Sequence, residues 1–433
     1  MPASEAQSQA SDIAIIGGGM VGLSLAILLA GQLPNHSIRL LETLPFLAAP
    51  SSDEPLFQPS FDARSSALAQ GSRQLLSAMG VWPSLARHVT EVATVHVSDR
   101  GHVGGCRIDH KAYHQPSLGY VVDNSWLGVC LLSAARRLAN LTIDAPTSVT
   151  ALTPVRSGYR LSLQREGERS ELHTQLAVIA DGAQSALRQR LGIATHTEAY
   201  EHTAVIANVA FSQPHNGVAY ERFTERGPVA ILPRGESAEA CEGALIWTLP
   251  GELAERRQQQ PEDQFLAALT AAFGARLGRF LRVGQRHLYP LQMVVAKEQV
   301  RPHLVLMGNA AHALHPVAGQ GFNLALRDCA RLSEVLAEAV AAGEALGSFT
   351  QLQRYLALQT EDQWLTVQFS HQLPKLFSSA ELTQAGLRAA GLLLLELIPS
   401  AKNILAEQSM GRRGRGFKYL PTGDEHQELS ARP

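Results

Sequence analysis

The chain has 433 residues, 45% hydrophobic and 18% charged, a composition that excludes long disorder and a length that calls for two domains plus an appendage. Its net charge of -2, with no aromatic residues interleaved among basic ones, excludes a nucleic-acid surface. Cys106, Cys130, Cys241 and Cys329 lie too far apart for a zinc clamp or a redox pair, so they read as separate reduced thiols and no metal is expected.

Residues 1–11 are small and polar, with neither the basic start nor the apolar stretch of a secretory signal. Residues 12–16 (DIAII) form a short apolar strand that runs into glycines, residues 20–33 are rich in helix formers, and residues 37–41 make a second strand that closes with Glu42. This is a compact βαβ unit and the start of a parallel sheet. Residues 48–60, rich in proline and serine, sustain no period and predict a long loop. Residues 65–79 predict a helix, 95–97 a strand and 125–138 another helix, and several short strands follow between 142 and 179.

Apolar runs at 205–211, 229–232 and 244–249, broken by one helical stretch near 264–273, predict an antiparallel sheet domain. The chain then returns to the first domain through a buried strand at 304–307 and a glycine-bearing helix start. From residue 351 the pattern is helical. Residues 389–395, flanked by Arg388 and Glu396, are far shorter than the roughly 20 residues a spanning helix needs.

Gly17, Gly19 and Gly22 form GxGxxG between the first strand and helix, and Glu42 lies 42 − 22 = 20 residues beyond the last of them. The first glycine makes the turn, the second lets a pyrophosphate approach the backbone, and the third lets helix and strand pack closely. The helix start offers free N–H donors for phosphates, while Glu42 is placed to accept from ribose hydroxyls. On this motif alone the dinucleotide can be NAD or FAD, and a bare glycine turn is the plainer alternative. Two later strand-to-helix turns narrow the choice. One is Asp181-Gly182 in VIADGAQSALRQRLG, ahead of Ser185 and Arg188; the other is GNAAHALHPVAGQGFNLALRD, which starts at Gly308.

Together the three motifs resemble those of the group A flavoprotein aromatic hydroxylases, the class of para-hydroxybenzoate hydroxylase, over about residues 12–344. That resemblance implies an α/β fold: a Rossmann-like parallel-sheet domain for FAD, an antiparallel-sheet substrate domain and C-terminal helices. The boundaries expected are 11–80, 111–195 and 286–345 for FAD, 81–110 and 196–285 for substrate, and 346–433 for the helical region with its tail. It further implies FAD held by Gly17, Gly19, Gly22, Glu42, Asp181, Gly182, Asn309, Pro316, Gly319, Gln320, Gly321 and Asn323, NADH or NADPH as electron donor, and dioxygen as co-substrate. Asn309 departs from the aspartate common in the family; it can still hydrogen-bond the ribityl chain but brings no charge. Amide groups at the helix start after Gly321 would stabilise the anionic reduced flavin. A flavin hydroperoxide would then deliver oxygen to an electron-rich phenol in a site that keeps water out.

More narrowly, FDARSSALA (61–69), VHVSDRG (95–101), YERFTERGPVAILP (220–233) and the third motif look like those of the ubiquinone-biosynthesis hydroxylases, in particular the 2-polyprenyl-6-methoxyphenol hydroxylases. This implies a lipophilic polyprenyl phenol as substrate, other ubiquinone-biosynthesis proteins as partners, and flavin contact at Arg64. Sister hydroxylases acting at another ring position, a non-catalytic flavoprotein component of the biosynthetic complex, and a flavin dehydrogenase or oxidase remain as alternatives. Arg64, Tyr220, Arg222 and Tyr289 are candidates for the ring, against the plainer reading of half-buried sheet residues. His312 and His315 have no carboxylate or cysteine at ligand spacing and are read as packing residues. Leu387, Leu392 to Leu395, Leu397 and Ile398, followed by Arg412, Arg413, Arg415 and Lys418, suit either a membrane surface or a core helix with a solvated tail. The expected location is the cytoplasm, at the inner face of its membrane.

Overall fold

A computed structural model describes residues 8–46, 57, 64–100, 105–314 and 320–378. The apolar run Ile13–Ile16 sits in the middle of a mainly parallel sheet, within the strand Ser8–Ile16. On one side it pairs with Ile38–Leu41 and beyond that with Leu141–Asp144; on the other it pairs with Glu168–Ile179 and beyond that with Leu304–Leu306. A stretch with partners on both edges and cover on both faces must be apolar throughout, as Ile13–Ile16 is. Ile13 and Ile15 face the helices Met20–Gln32, Asn124–Arg136 and Gln320–Ala341, while Ala14 and Ile16 face Leu161, Leu163 and Leu172 of an antiparallel ribbon.

A second, nine-stranded sheet runs His312–Ala313, His287–Ala296, Thr195–Phe211, Glu242–Pro250, Val229–Arg234, Val218–Phe223, Thr94–Asp99, Gly105–Asp109, with Phe280–Val283 beside the third of these. It is antiparallel except where Val218–Phe223 meets Thr94–Asp99. The helices Gly251–Gln259 and Glu262–Phe273 cover one face, where Phe265, Leu269 and Phe273 pack on Val205, Ile231, Leu245 and Trp247. A small third sheet places Gly119–Asp123 between Ser65–Ala69 and Val89–Val92. Arg234 of the large sheet forks onto Asp123 of the small one at 3.0 and 2.7 Å, a nearly buried pair that pins the two together. The C-terminal helix Phe349–Ser378 lies along Gln320–Ala341, joined by the bidentate Arg327–Asp362 pair. Among the described residues, no helix is long and apolar enough to cross a membrane.

The mixed fold, with its parallel sheet, antiparallel sheet and C-terminal helix, follows the sequence reading; three local elements differ. Residues 65–79 are not one helix but the strand Ser65–Ala69 followed by the helix Gln70–Ala78, because Ser65–Ala69 finds a partner in Gly119–Asp123. Pairing across the fold outweighs the helix preference of its Ala-Leu-Ala end. The helix Gly251–Gln259 was not foreseen, since only Ala254 of it is buried and it carries almost no apolar period. The strand ending at Phe211 begins at Thr195, extended by a polar half that alternates too faintly to be read.

Candidate functional site

The three glycine-bearing turns leave the carboxyl ends of three adjacent parallel strands at one level. Ile16 is in register with Ile179, and Ile179 with Leu306, so the turns after Ile16, Ile179 and Leu306 stand side by side, about 10 Å across at the usual strand spacing. This is the edge of an open α/β sheet where ligands bind. Gly17 has φ +112°, and a Cβ there would lie 2.4 Å from the Ala180 carbonyl oxygen, so only glycine lets the first two turns touch. A Cβ on Gly22 would fall 1.9 Å from the Gly17 oxygen, which closes helix onto turn. At Gly19, by contrast, a Cβ would meet no atom within 4 Å. That open space adjoins a helix start with no side-chain cap and no acidic residue in its first turn, so its amides are free to bind an anion.

Glu42 closes the second strand, and its carboxylate accepts from the amides of Gly18 at 2.6 Å and Leu44 at 2.8 Å. Each oxygen keeps a second lone pair, so Glu42 both shapes the glycine turn and remains able to receive hydroxyls. Asp181 is exposed at the mouth of the second turn. Desolvation by the surrounding protein holds its carboxyl above the ordinary range, opposed by hydrogen bonds from Ser185 and the Leu187 amide and by the Arg188 charge. Ser185 caps the short helix Ala186–Arg190 by accepting from the Arg188 amide at 3.0 Å. The buried Arg188 guanidinium donates to the carbonyls of Ala183 at 2.9 Å and Ala310 at 2.8 Å, tying the second turn to the third.

Gly308 (φ +58°) packs on Val21 of the first helix, and Asn309 is exposed on the turn that follows. Pro316, Gly319 and His315 lie outside the described residues, as do residues 387–418 of the apolar and basic stretch. Gln320 and Gly321 begin the long helix, Gln320 buried and Gly321 with open space around a built Cβ. Asn323, expected at the cofactor, has its side chain engaged by the protein. It is buried, its oxygen accepts from the Ala69 amide (2.8 Å) and the Ser72 hydroxyl (2.7 Å), and its amide donates to the Ala67 carbonyl (2.9 Å), so its polar atoms hold the strand Ser65–Ala69 against the helix. His312 does have a carboxylate: its Nε2 lies 2.6 Å from Asp328 Oδ2, with both side chains buried, and Gln359 and Gln363 donate to the other Asp328 oxygen. No helical spacing relates the two residues, so the pair could not be read from the sequence.

The large sheet turns toward this region the face opposite the helices Gly251–Gln259 and Glu262–Phe273. Tyr289 lies on that face, its hydroxyl accepts from Arg64, and the Arg64 charge stands 5.6 Å from its ring centroid. Arg234, reaching Asp123, is on the same face. Tyr220 and Arg222 are on the other: Tyr220 packs edge-on to Phe273, ring centroids 5.5 Å apart, and Arg222 points toward Ser98 Oγ at 3.4 Å. The structure thus brings Arg64 and Tyr289 together and separates them from Tyr220 and Arg222.

Adjacent turns, a bare helix start and a carboxylate at the next strand end define a dinucleotide-binding α/β protein. Residues 10–370 match the FAD binding domain family, and the chain belongs to it. It is similar to ubiquinone hydroxylase UbiL of Rhodospirillum rubrum, 32% identical over 410 residues that cover 95% of this chain and 92% of that protein. It is also similar to 3-demethoxyubiquinol 3-hydroxylase of Escherichia coli, 31% identical over 404 residues, 89% of this chain and 97% of that one. The solved structure of p-nitrophenol 4-monooxygenase PnpA from Pseudomonas putida shares the fold, with a TM-score of 0.73 at 17% identity, covering 94% of this chain and 100% of that one.

Proposed function

We propose that this chain is an FAD- and NAD(P)H-dependent monooxygenase that hydroxylates the aromatic ring of a polyprenylated methoxyphenol on the route to ubiquinone, the reaction of the 2-polyprenyl-6-methoxyphenol hydroxylases. The carrying observation is the alignment of three glycine-bearing turns on one sheet edge. In this reading the Gly17–Gly19–Gly22 turn and Glu42 hold the ADP half of FAD, Asp181 and Gly182 lie along its middle, and Asn309, Gln320 and Gly321 serve the ribityl chain and ring, with Arg64 contacting the FAD. FAD when bound supplies the two-electron chemistry that activates dioxygen. The chain's own residues bind it, orient it and exclude water. Residues 11–80, 111–195 and 286–345 make up the FAD-binding domain, and 81–110 with 196–285 the substrate domain. The lipophilic substrate, with the basic cluster at Arg412, Arg413, Arg415 and Lys418, supports a place at the inner membrane face beside other enzymes of the pathway.

Purified protein should carry FAD and oxidise NADH or NADPH only when a prenylated methoxyphenol is added, with one oxygen-18 atom from dioxygen entering the product. Absence of flavin, or product without the label, sinks the proposal. The 31% identity to a 3-demethoxyubiquinol 3-hydroxylase favours a second reading, hydroxylation of a later ring intermediate. Mass spectrometry of the quinone precursor that accumulates in cells lacking the protein separates the two.

A further inference from the structure

On the face of the large sheet opposite the helices Gly251–Gln259 and Glu262–Phe273, Glu221, Ala230, Ile246, Ile206 and His287 stand in register across five neighbouring strands. All five are half-buried, whereas Val205, Ile231, Leu245 and Trp247 on the opposite face are sealed under helices. The face is the one that carries Tyr289 to Arg64 and Arg234 to Asp123, so the row looks toward the FAD-bearing part of the molecule. Its middle is purely apolar. Its end is a carboxylate for which, among the described residues, there is no hydrogen bond or ion pair.

We propose that Glu221 is the proton acceptor for the ring hydroxyl of the substrate, with the strip Ala230–Ile246–Ile206 receiving apolar parts of the same molecule. The inference rests on the monooxygenase reading. A phenol is attacked by electrophilic oxygen far more readily as its phenolate. The step balances within the chain and substrate: the phenol O–H bond breaks, the Glu221 carboxylate takes the proton, and the electron pair stays on the ring oxygen. The neutral carboxyl can return that proton to oxygen when the hydroxylated ring regains its aromaticity.

The surroundings suit this task. On the same face the neighbours in register are Val97 and Ala230, with Cys106 beyond Val97. Tyr220 and Arg222, adjacent along the strand, point to the helix-covered side. His287 ends the row four strand spacings away, about 19 Å, and Tyr289 and Arg64 lie at that far end. Among the described residues of the sheet, no charged side chain neighbours Glu221 on this face, and burial pushes its carboxyl up to about 7. A base poised there is partly ionised at neutral pH and strong enough to share a phenolic proton.

The test uses the FAD-loaded enzyme and 2-methoxy-6-prenylphenol as probe, with two readouts. Phenol-dependent NAD(P)H oxidation across pH should show an acidic limb near 7 in the wild type. E221Q should lose that limb, fall by about 10²–10⁴-fold in kcat, and recover above the phenol's own pKa; E221D should be intermediate. Separately, difference absorbance should show the bound probe ionising below its solution pKa in the wild type and not in E221Q. Probe ionisation lost in E221Q supports the assignment even if turnover is absent, in which case it is the monooxygenase reading that fails. Wild-type turnover with an unchanged E221Q profile, or equal probe ionisation in both proteins, overturns Glu221.

Discussion

Gly19 offers a sharp separation between folding and binding. Replacing it with valine adds a side chain where a built Cβ meets nothing within 4 Å, at an extended backbone conformation (φ -70°, ψ -177°) that a β-branched residue accepts. As the N-cap of Met20–Gln32, the change costs the fold at most about 1 kcal/mol. For FAD the same volume obstructs the approach of the pyrophosphate to the helix-start amides. Losing two charge-assisted hydrogen bonds at about 1.5–3 kcal/mol each removes about 3–6 kcal/mol, a weakening of about 10²–10⁴-fold. Gly22→Val is the counterpart, since its Cβ would sit 1.9 Å from the Gly17 oxygen and the turn itself must break. Titration of FAD-stripped protein by flavin fluorescence, with urea unfolding of the same preparation, gives both quantities. Should Gly19→Val bind FAD within about threefold of wild type, a loss of only about 0.7 kcal/mol, the pyrophosphate does not lie there.

Arg64→Ala should keep stoichiometric FAD while turnover falls, because Arg64 meets Tyr289 rather than the glycine turns; unchanged kinetics would count against it. Asn323→Ala strands the buried Ala69 amide and Ser72 hydroxyl, and at about 1–3 kcal/mol per orphaned group urea unfolding should register a loss of about 2–6 kcal/mol. Burial pushes the Cys130 thiol up to about 12 and raises that of Cys329 too, and Cys106 is also buried, so a thiol-disulfide reagent should label Cys241 first in native protein and all four after denaturation. The pH consequence has a definite sign. Below about 9 the Cys130 thiol is protonated in both folded and unfolded chains and contributes nothing; above that the unfolded thiol ionises first, and stability falls as pH rises toward 12.

What could be read along the chain was whatever depends on neighbours in sequence. The strand, turn and helix around Gly17 are local, and the third glycine is required by a contact only five residues long, so the motif announced itself. Sheet faces are different. Tyr220 is the aromatic residue of YERFTERGPVAILP, yet which of Tyr220 and Glu221 lies on the face opposite the helix Glu262–Phe273 depends on where that helix packs, a fact set some forty residues on. The pairing of His312 with Asp328 and the engagement of Asn323 with Ala67, Ala69 and Ser72 likewise arise from the long helix Gln320–Ala341 crossing other elements. Polar residues near a glycine motif look like ligands for a cofactor until the protein groups that occupy them are known.

Arg188 grips backbone oxygens of two separate turns with one guanidinium. Substitutions at Ala183 and at Ala310 should therefore fail to add: once either carbonyl has slipped from the clamp, disturbing the other loses less than it would alone. Epistasis between two alanines some 127 positions apart would be the genetic trace of a single shared cation.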